Sequence, residues 1–212
     1  MSSLPPIDAS LLRTGRSPLP ANWASQPDPC LWTGVTCSVS SPAVVRLALN
    51  TLGISGTLPT RLGLLSQLNY LDLATNSLGG TIITELASLS QLTALGLGDN
   101  AFSGSVPTQL GLMSQLMGLY LYQNKLTGSL PTHLGSMAQL KYLWVHFNSL
   151  SGALPTQLGA LSQLYDLDLG SNALFGSLPT ELGRLASMNL FAVVRSYAPI
   201  YQRSLLSPYM RL

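Results

Sequence analysis

Leucine returns along this chain with a period of 24 residues. In every unit two leucines, or a leucine and a valine, flank a single variable residue. The six pairs are Leu47/Leu49, Leu71/Leu73, Leu95/Leu97, Leu119/Leu121, Leu143/Val145 and Leu167/Leu169. An asparagine keeps the same spacing from Asn76 to Asn172, and a glycine keeps it from Gly56 to Gly176. Residues 44–187 therefore divide into six structural repeats of 24 residues.

The pattern within one unit predicts its local structure. The piece Leu-x-Leu has a period of two, so it predicts a short strand with both leucines on one face. The asparagine follows where the chain turns, and its amide can satisfy backbone groups buried by that turn. A proline belongs at an edge or turn, because it cannot donate to a ladder of hydrogen bonds. The threonine after it is predicted to cap a short helical turn by accepting from backbone N–H groups.

One unit alone cannot bury enough apolar surface to offset the entropy of ordering its residues. Stacking buries both sides of each unit, so the sequence predicts a solenoid with parallel strands about 4.8 Å apart. We expect an α/β-class solenoid with few true helices.

Composition excludes several classes of protein. Charged residues make up 8% of the 212 residues, against roughly 25% in a typical soluble domain. The net charge of +2 argues against a nucleic-acid binder that works by neutralising phosphates. The mean hydropathy is +0.32, yet no apolar run approaches the ~18 residues of a membrane-spanning helix. The apolar residues belong to a repeated core.

The two ends depart from the repeat. The segment that begins at Met1 has no basic n-region and no apolar h-region, so it is not expected to be a signal peptide. The segment 188–212 begins like a seventh strand, with Phe191 and Val193 at core positions, and loses the pattern at Ser196.

This tail is predicted to fray. An uncapped end would expose the last apolar layer, including Leu182 and Leu185, and would favour self-association. We divide the chain into a cap of residues 1–43, repeats at 44–187 and an irregular tail at 188–212.

The repeat resembles the plant-type, 24-residue class of leucine-rich repeats, whose signature G-x-[IL]-P stands here as Gly128-Ser-Leu-Pro131 and Gly176-Ser-Leu-Pro179. The segment Asp28 to Cys37 resembles the cap that precedes such repeats. The sequence departs from the pattern at Leu52, which replaces the first asparagine, and at Ile83, which replaces the second proline.

The resemblance implies a curved, right-handed superhelix with parallel strands on its concave face. It also implies an extracellular or cell-surface recognition module, as in receptor-kinase ectodomains and polygalacturonase-inhibiting proteins. Cys30 and Cys37 allow one disulfide, which would close the cap over the first unit. The alternative is a pair of reduced thiols in a cytosolic chain.

The most variable positions flank the core leucines and point away from the core; we call this side of the strands the concave face. The six trios are Arg46, Ala48, Asn50; Tyr70, Asp72, Ala74; Ala94, Gly96, Gly98; Gly118, Tyr120, Tyr122; Tyr142, Trp144, His146; Asp166, Asp168, Gly170. Units four and five carry five aromatic or imidazole side chains, with Lys141, Phe147 and Tyr165 at their margins.

These trios predict a binding site for a protein or peptide. The candidate residues are Tyr120, Tyr122, Tyr142, Trp144, His146, Asp166 and Asp168. The aspartates would form an acidic margin, and His146 would make binding sensitive to mildly acidic pH. The glycines of the third unit would leave a lower floor for a protruding ligand. The plainer alternative is that aromatic residues simply suit strands.

Other functions have weaker support. Inhibition of a secreted cell-wall hydrolase would use the same face. A threonine in every unit, from Thr60 to Thr180, could instead form an ice-binding array. Asp166 and Asp168 could act as paired carboxylates or chelate calcium, but a polar binding rim is favoured. His133 occupies a variable convex position. We therefore expect no enzyme activity, no cofactor and no metal site.

Overall fold

The structure, a computed structural model, describes residues 27–185. Two sheets and a series of 3-10 helices recur along the chain. The first sheet contains β1 (Val35–Cys37), β2 (Val44–Ala48), β4 (Tyr70–Asp72), β6 (Ala94–Gly96), β8 (Gly118–Tyr120), β10 (Tyr142–Trp144) and β12 (Asp166–Asp168). The second sheet contains β3 (Ser55–Thr57), β5 (Ser77–Thr81), β7 (Ala101–Gly104), β9 (Lys125–Gly128), β11 (Ser149–Gly152) and β13 (Ala173–Leu174). The 3-10 helices are Pro29–Leu31, Thr60–Leu64, Thr84–Ser88, Thr108–Leu112, Thr132–Ser136, Thr156–Ala160 and Thr180–Arg184.

The first sheet is parallel from β2 to β12, as the period predicts. Equivalent residues of neighbouring units pair directly, such as Leu71 with Leu95 and Leu143 with Leu167. Because the register follows the repeat, every core leucine lies beside its counterpart. The six pairs of core residues are 0–1% exposed.

The second sheet was not predicted. Its strands are short and rich in serine and glycine, which have low β propensity, and carry at most one buried apolar residue each, as in Ser77–Thr81 with Leu78. The recurring glycine from Gly56 to Gly176 has φ between 72° and 101°, a backbone conformation that glycine adopts without a steric cost.

The repeated asparagines bond backbone groups at the turn, as predicted, and they also join neighbouring units as an asparagine ladder. Asn100 Oδ1 accepts from Leu78 N–H at 2.9 Å, and Asn100 Nδ2 donates to the carbonyls of Leu73 and Leu97 at 3.0 and 3.2 Å. Leu52 does not interrupt the ladder, because its own N–H donates to Asn76 Oδ1 at 3.1 Å.

The predicted threonine cap is wrong. Thr84 is the first residue of its helix, and Ile83 precedes it as the N-cap without a side-chain hydrogen bond. A proline holds the N-cap position in the other repeats, for example Pro107 at φ −65°. Backbone conformation alone thus sets the entry to the helix. The Thr84 hydroxyl, which makes no capping bond, donates to Glu85 Oε2 at 3.3 Å.

The cap closes the N-terminal end of the described region. Cys30 and Cys37 form a disulfide with a Cα–Cα distance of 5.5 Å. Trp32 is 5% exposed and joins the leucine core. β1 pairs antiparallel with β2 and so covers the edge of the first unit, an arrangement that the repeat pattern did not predict. The upstream part of the predicted cap, residues 1–26, lies outside the described residues.

The described region ends at Leu185, within the last apolar layer of the repeats. The exposure predicted for Leu182 and Leu185 is wrong, because both side chains point into the core and are 6% exposed. The predicted seventh strand, with Phe191 and Val193, lies outside the described residues. None of the helices within residues 27–185 is long and apolar enough to cross a membrane.

Candidate functional site

Strands β8, β10 and β12 bring the predicted site residues together. Trp144 lies between Tyr120 on β8 and Asp168 on β12 in the parallel register. Leu143, between the two outward residues of β10, is fully buried. The strand alternation therefore places the apolar residues in the core and the rings on the concave face.

The rings form a continuous chain of contacts, which we call the aromatic belt. Its members, in order, are Tyr165, Tyr142, Tyr120, Trp144, Tyr122, His146 and Phe147. Consecutive centroids lie 5.0–6.4 Å apart, within the range of favourable ring contacts. Tyr120 and Trp144 meet edge to face at 74°, whereas Tyr122 and His146 stack at 6°.

The belt crosses the concave face from one rim to the other. Tyr165 precedes β12 and is 50% exposed, and Phe147 follows β10 and is 56% exposed. The five rings between them are only partly exposed. The belt thus offers two accessible ends joined by a packed middle.

Phe147 occupies a backbone conformation that large side chains avoid. Its φ is 53°, and the equivalent residue of every other unit also has a positive φ, from Thr51 to Ser171. The fold therefore imposes this conformation, and an aromatic residue is an uncommon choice for it. The sequence placed Phe147 at the margin of the site, but its backbone strain was not foreseen.

The predicted acidic margin is bonded to the belt. Trp144 Nε1 donates to Asp166 Oδ2 at 3.0 Å. His146 Nδ1 lies 3.2 Å from Asp168 Oδ2, an ion-pair distance that lacks the alignment of a hydrogen bond. Asp168 Oδ1 also accepts from Gly170 N–H at 2.9 Å. These contacts hold both carboxylates and orient the indole.

The predicted low floor at the third unit is not open. A methyl group at Gly98 would collide with the ring of Tyr122, and one at Gly96 would lie 2.6 Å from Asp72 Oδ1. Both glycines are buried. The prediction was wrong because side chains from neighbouring strands lean into the space that the glycines leave.

Both central phenols keep their protons at neutral pH. Burial is the main cause that raises the pKa of Tyr120, and Tyr142 and other nearby groups raise it further. Burial also raises the pKa of Tyr122, with added contributions from Asp72 and Asp99. The two hydroxyls are thus available as hydrogen-bond donors.

A second aromatic group lies on the same face in the first two units. The Arg46 guanidinium carbon is 3.4 Å from the centroid of the Tyr70 ring, a cation–π contact. The Tyr70 hydroxyl donates to Asp72 Oδ2 at 3.3 Å. No group of three or more metal-ligating side chains occurs within residues 27–185, and His133 is exposed on a 3-10 helix.

Comparisons with known proteins agree with this architecture. Residues 7–38 match a leucine-rich repeat N-terminal domain, and residues 67–89, 115–137 and 139–161 match the leucine-rich repeat itself. The LRR receptor-like serine/threonine-protein kinase FEI 2 of Arabidopsis thaliana is 45% identical over 51 residues, which are 24% of this chain and 9% of that protein.

Solved structures extend the similarity over most of the chain. The PEPR1–AtPEP1 structure is 36% identical with a TM-score of 0.79, over 84% of this chain and 26% of that one. The LRR ectodomain of the receptor kinase SOBIR1 from Arabidopsis thaliana is 33% identical with a TM-score of 0.65, over 71% of this chain and 86% of that one. The chain spans less than a tenth of FEI 2 and about a quarter of the PEPR1 chain. With its repeats, cap and register, the chain belongs to the leucine-rich repeat family, in the plant type of receptor-kinase ectodomains.

Proposed function

We propose that this chain is a non-enzymatic recognition module that binds a protein or peptide on the concave face of units four to six. The observation that carries the proposal is the aromatic belt. The scaffold is nearly uniform from unit to unit, yet within residues 27–185 linked rings occur only on this part of the face, with exposed ends at Tyr165 and Phe147.

The belt has the properties of a binding hot spot. Tyrosine and tryptophan dominate such hot spots, because they give a large contact area for few rotatable bonds. Ring contacts and the bond from Trp144 to Asp166 already fix the side chains. Binding would therefore cost little additional side-chain entropy.

Family membership supports a receptor-type role outside the cell or at its surface. The similar PEPR1 ectodomain was solved with AtPEP1, and FEI 2 is named a receptor-like kinase. The disulfide of Cys30 and Cys37 suits an oxidising compartment. Self-association through the C-terminal end stays a prediction.

The test is a selection of binding peptides from a random displayed library against the full chain. Trp144→Ala is expected to weaken the selected peptides about thirtyfold or more, which corresponds to the ~2 kcal/mol of a hot spot. Tyr120→Ala should also weaken them. Because both side chains lie outside the leucine core, both variants should keep the fold and the far-ultraviolet circular dichroism spectrum of the parent, although lost ring contacts lower their thermal stability somewhat.

A matched control is Leu112→Ala, since Leu112 is 73% exposed on a 3-10 helix away from the concave face. This variant should bind as tightly as the parent. If the selected peptides bind equally well after both Trp144→Ala and Tyr120→Ala, the site lies elsewhere and the proposal fails.

A further inference from the structure

The aromatic belt runs across the solenoid, parallel to strand β10, and not along the solenoid axis. Its five central rings come alternately from unit five and unit four: Tyr142, Tyr120, Trp144, Tyr122 and His146. Tyr165 marks one rim, beside Lys141, whose carbonyl accepts from the Tyr165 N–H at 2.8 Å. Phe147 marks the other rim, six residues after Lys141 in the chain. At about 3.3 Å per residue of strand, the belt is about 20 Å long.

Along the solenoid axis, the apolar surface ends within one strand of the belt. On one side the carboxylate of Asp72 lies over Gly96, where an added methyl group would be 2.6 Å from Asp72 Oδ1. On the other side β12 presents Asp166 and Asp168. A partner segment that runs along the axis would therefore leave the rings after two units and meet a carboxylate on either side. A segment parallel to β10 would stay on rings over its whole length.

Phe147, at one end of the belt, is a residue that the fold disfavours. Its φ of 53° lies in a region that large side chains occupy only at a cost in free energy. Its ring contacts His146 at a centroid distance of 5.5 Å, yet the residue is 56% exposed. The counterparts in the other units are smaller and polar: Thr51, Thr75, Asp99, Gln123 and Ser171. Because more than half of its surface stays in water, folding alone gains little from a phenyl group here.

The rim around Phe147 favours an apolar contact. Gln123 and Ser171 hold the same position in the units on either side, and both are exposed and uncharged. The phenyl ring has no group that forms a hydrogen bond. An apolar side chain of a partner would cover the exposed ring and so offset the cost of its backbone conformation.

We infer that the partner contributes one extended segment of about six or seven residues, which lies parallel to β10 and places an apolar side chain on Phe147. The length follows from the belt, since an extended chain spans about 3.3–3.6 Å per residue. Phe147 is therefore a specificity-determining residue for that end of the segment. The inference rests on the proposed function and adds the direction, the length and the end chemistry of the bound peptide.

The first experiment uses peptides longer than the belt, selected from the displayed library against the full chain. Shortened from both ends, each should keep its affinity within about threefold down to about six or seven residues. The minimal peptide is then made with p-benzoylphenylalanine at one end or at the other, and its photo-cross-links are mapped by mass spectrometry. One end is expected to label Gln123 or Phe147, and the opposite end Met117, Lys141 or Tyr165.

Cross-links in unit one or two from one end, together with cross-links in unit six from the other, would show a segment that follows the axis and would overturn the inference. So would a minimal peptide that must be long enough to span all six units. In either case peptides that still depend on Trp144 and Tyr120 would leave the proposed function standing.

The second experiment tests Phe147 by substitution. Phe147→Gln is expected to weaken the minimal peptides about tenfold, because the apolar contact is lost. Glutamine suits this backbone, since Gln123 has a φ of 48° at the same position of unit four. Phe147→Tyr keeps the ring and should restore affinity to within about threefold of the parent.

Thr75→Gln is the matched control, because it introduces the same residue at the same position of unit two, where φ is 55°. It should leave the affinity unchanged, and both glutamine variants should unfold at nearly the temperature of the parent. Equal affinity of Phe147→Gln and the parent would refute the role of Phe147, as would an equal loss in Thr75→Gln. If Phe147→Gln proves unstable, the cross-link map of the parent decides, since a peptide end that never labels the rim of Phe147 contradicts the inference.

Discussion

The ring of Tyr122 lies where a side chain at residue 98 would otherwise be. We predict that Gly98→Ala expels the ring and breaks its stack with His146. Gly98 does not have a positive φ, so alanine suits the backbone and the effect is one of packing alone. Such overpacking costs about 1–3 kcal/mol. Thermal unfolding would measure the loss, and near-ultraviolet circular dichroism would report the displaced ring.

Gly79→Ala is the matched control, because a methyl group there would meet its nearest neighbour at 3.6 Å, an ordinary contact. It should leave the free energy of unfolding within about 1 kcal/mol of the parent. Equal effects of the two substitutions would show that Tyr122 does not depend on the bare glycine.

At the residue scale, the sequence predicts on which side a residue lies but not the direction in which its side chain leans. Alternation placed Tyr122 on the concave face correctly. Its position over Gly98 could not be predicted, since a rotamer depends on the space that neighbouring strands leave. The strain at Phe147 was missed for a related reason. The repeat imposes a positive φ at this position, but the equivalent positions hold threonine, aspartate, glutamine or serine and never the glycine that would have indicated it.

At the scale of elements, the asparagine ladder connects one unit to the next. Asn124 Oδ1 accepts from Phe102 N–H at 2.9 Å, and Asn124 Nδ2 donates to the carbonyls of Leu97 and Tyr122. We predict that Asn124→Ala costs about 2–4 kcal/mol, because these buried groups lose their partner. Denaturant unfolding would measure the cost, and the Phe102 amide should exchange hydrogen faster.

Asn50→Ala serves as the control, since the exposed side chain of Asn50 lies on the concave face before the ladder begins. It should change stability by less than about 0.5 kcal/mol. A loss in Asn124→Ala as small as this would show that water replaces the ladder without cost.

Strands in which apolar residues alternate were predictable, and strands with a single apolar residue were not. The leucine pairs fixed the first sheet and its register, because a shift by one residue would turn every leucine to solvent. The second sheet is held by backbone pairing between short segments such as Ser77–Thr81, whose single buried leucine, Leu78, gives no alternation from which a strand could be predicted. Backbone geometry likewise explains the error at Thr84, where the preceding residue sets the helix entry.

At the scale of the whole molecule, each unit is stabilised by contacts with its neighbours, and an end unit has a neighbouring repeat on one side only. A cap that covers the other side therefore adds more stability than its length suggests. The cap covers the first unit through β1 and Trp32, and the disulfide of Cys30 and Cys37 closes the loop that carries them. A short loop of this kind contributes about 2–3 kcal/mol. The cap should therefore control the opening of the solenoid from its N-terminal end.

We predict that replacing both Cys30 and Cys37 with serine lowers stability by about 2–3 kcal/mol. The loss should be local: hydrogen exchange should speed up in β1 and β2 and stay slow in β10 and β12, because distant units contact the cap only through the units between them. A reductant should reproduce this effect in the parent and change nothing in the serine variant. Uniformly faster exchange from β2 to β12 would mean that the repeats open as one cooperative unit. Free thiols at both cysteines after native isolation would remove the basis of the prediction and the support that the disulfide gives to an extracellular location.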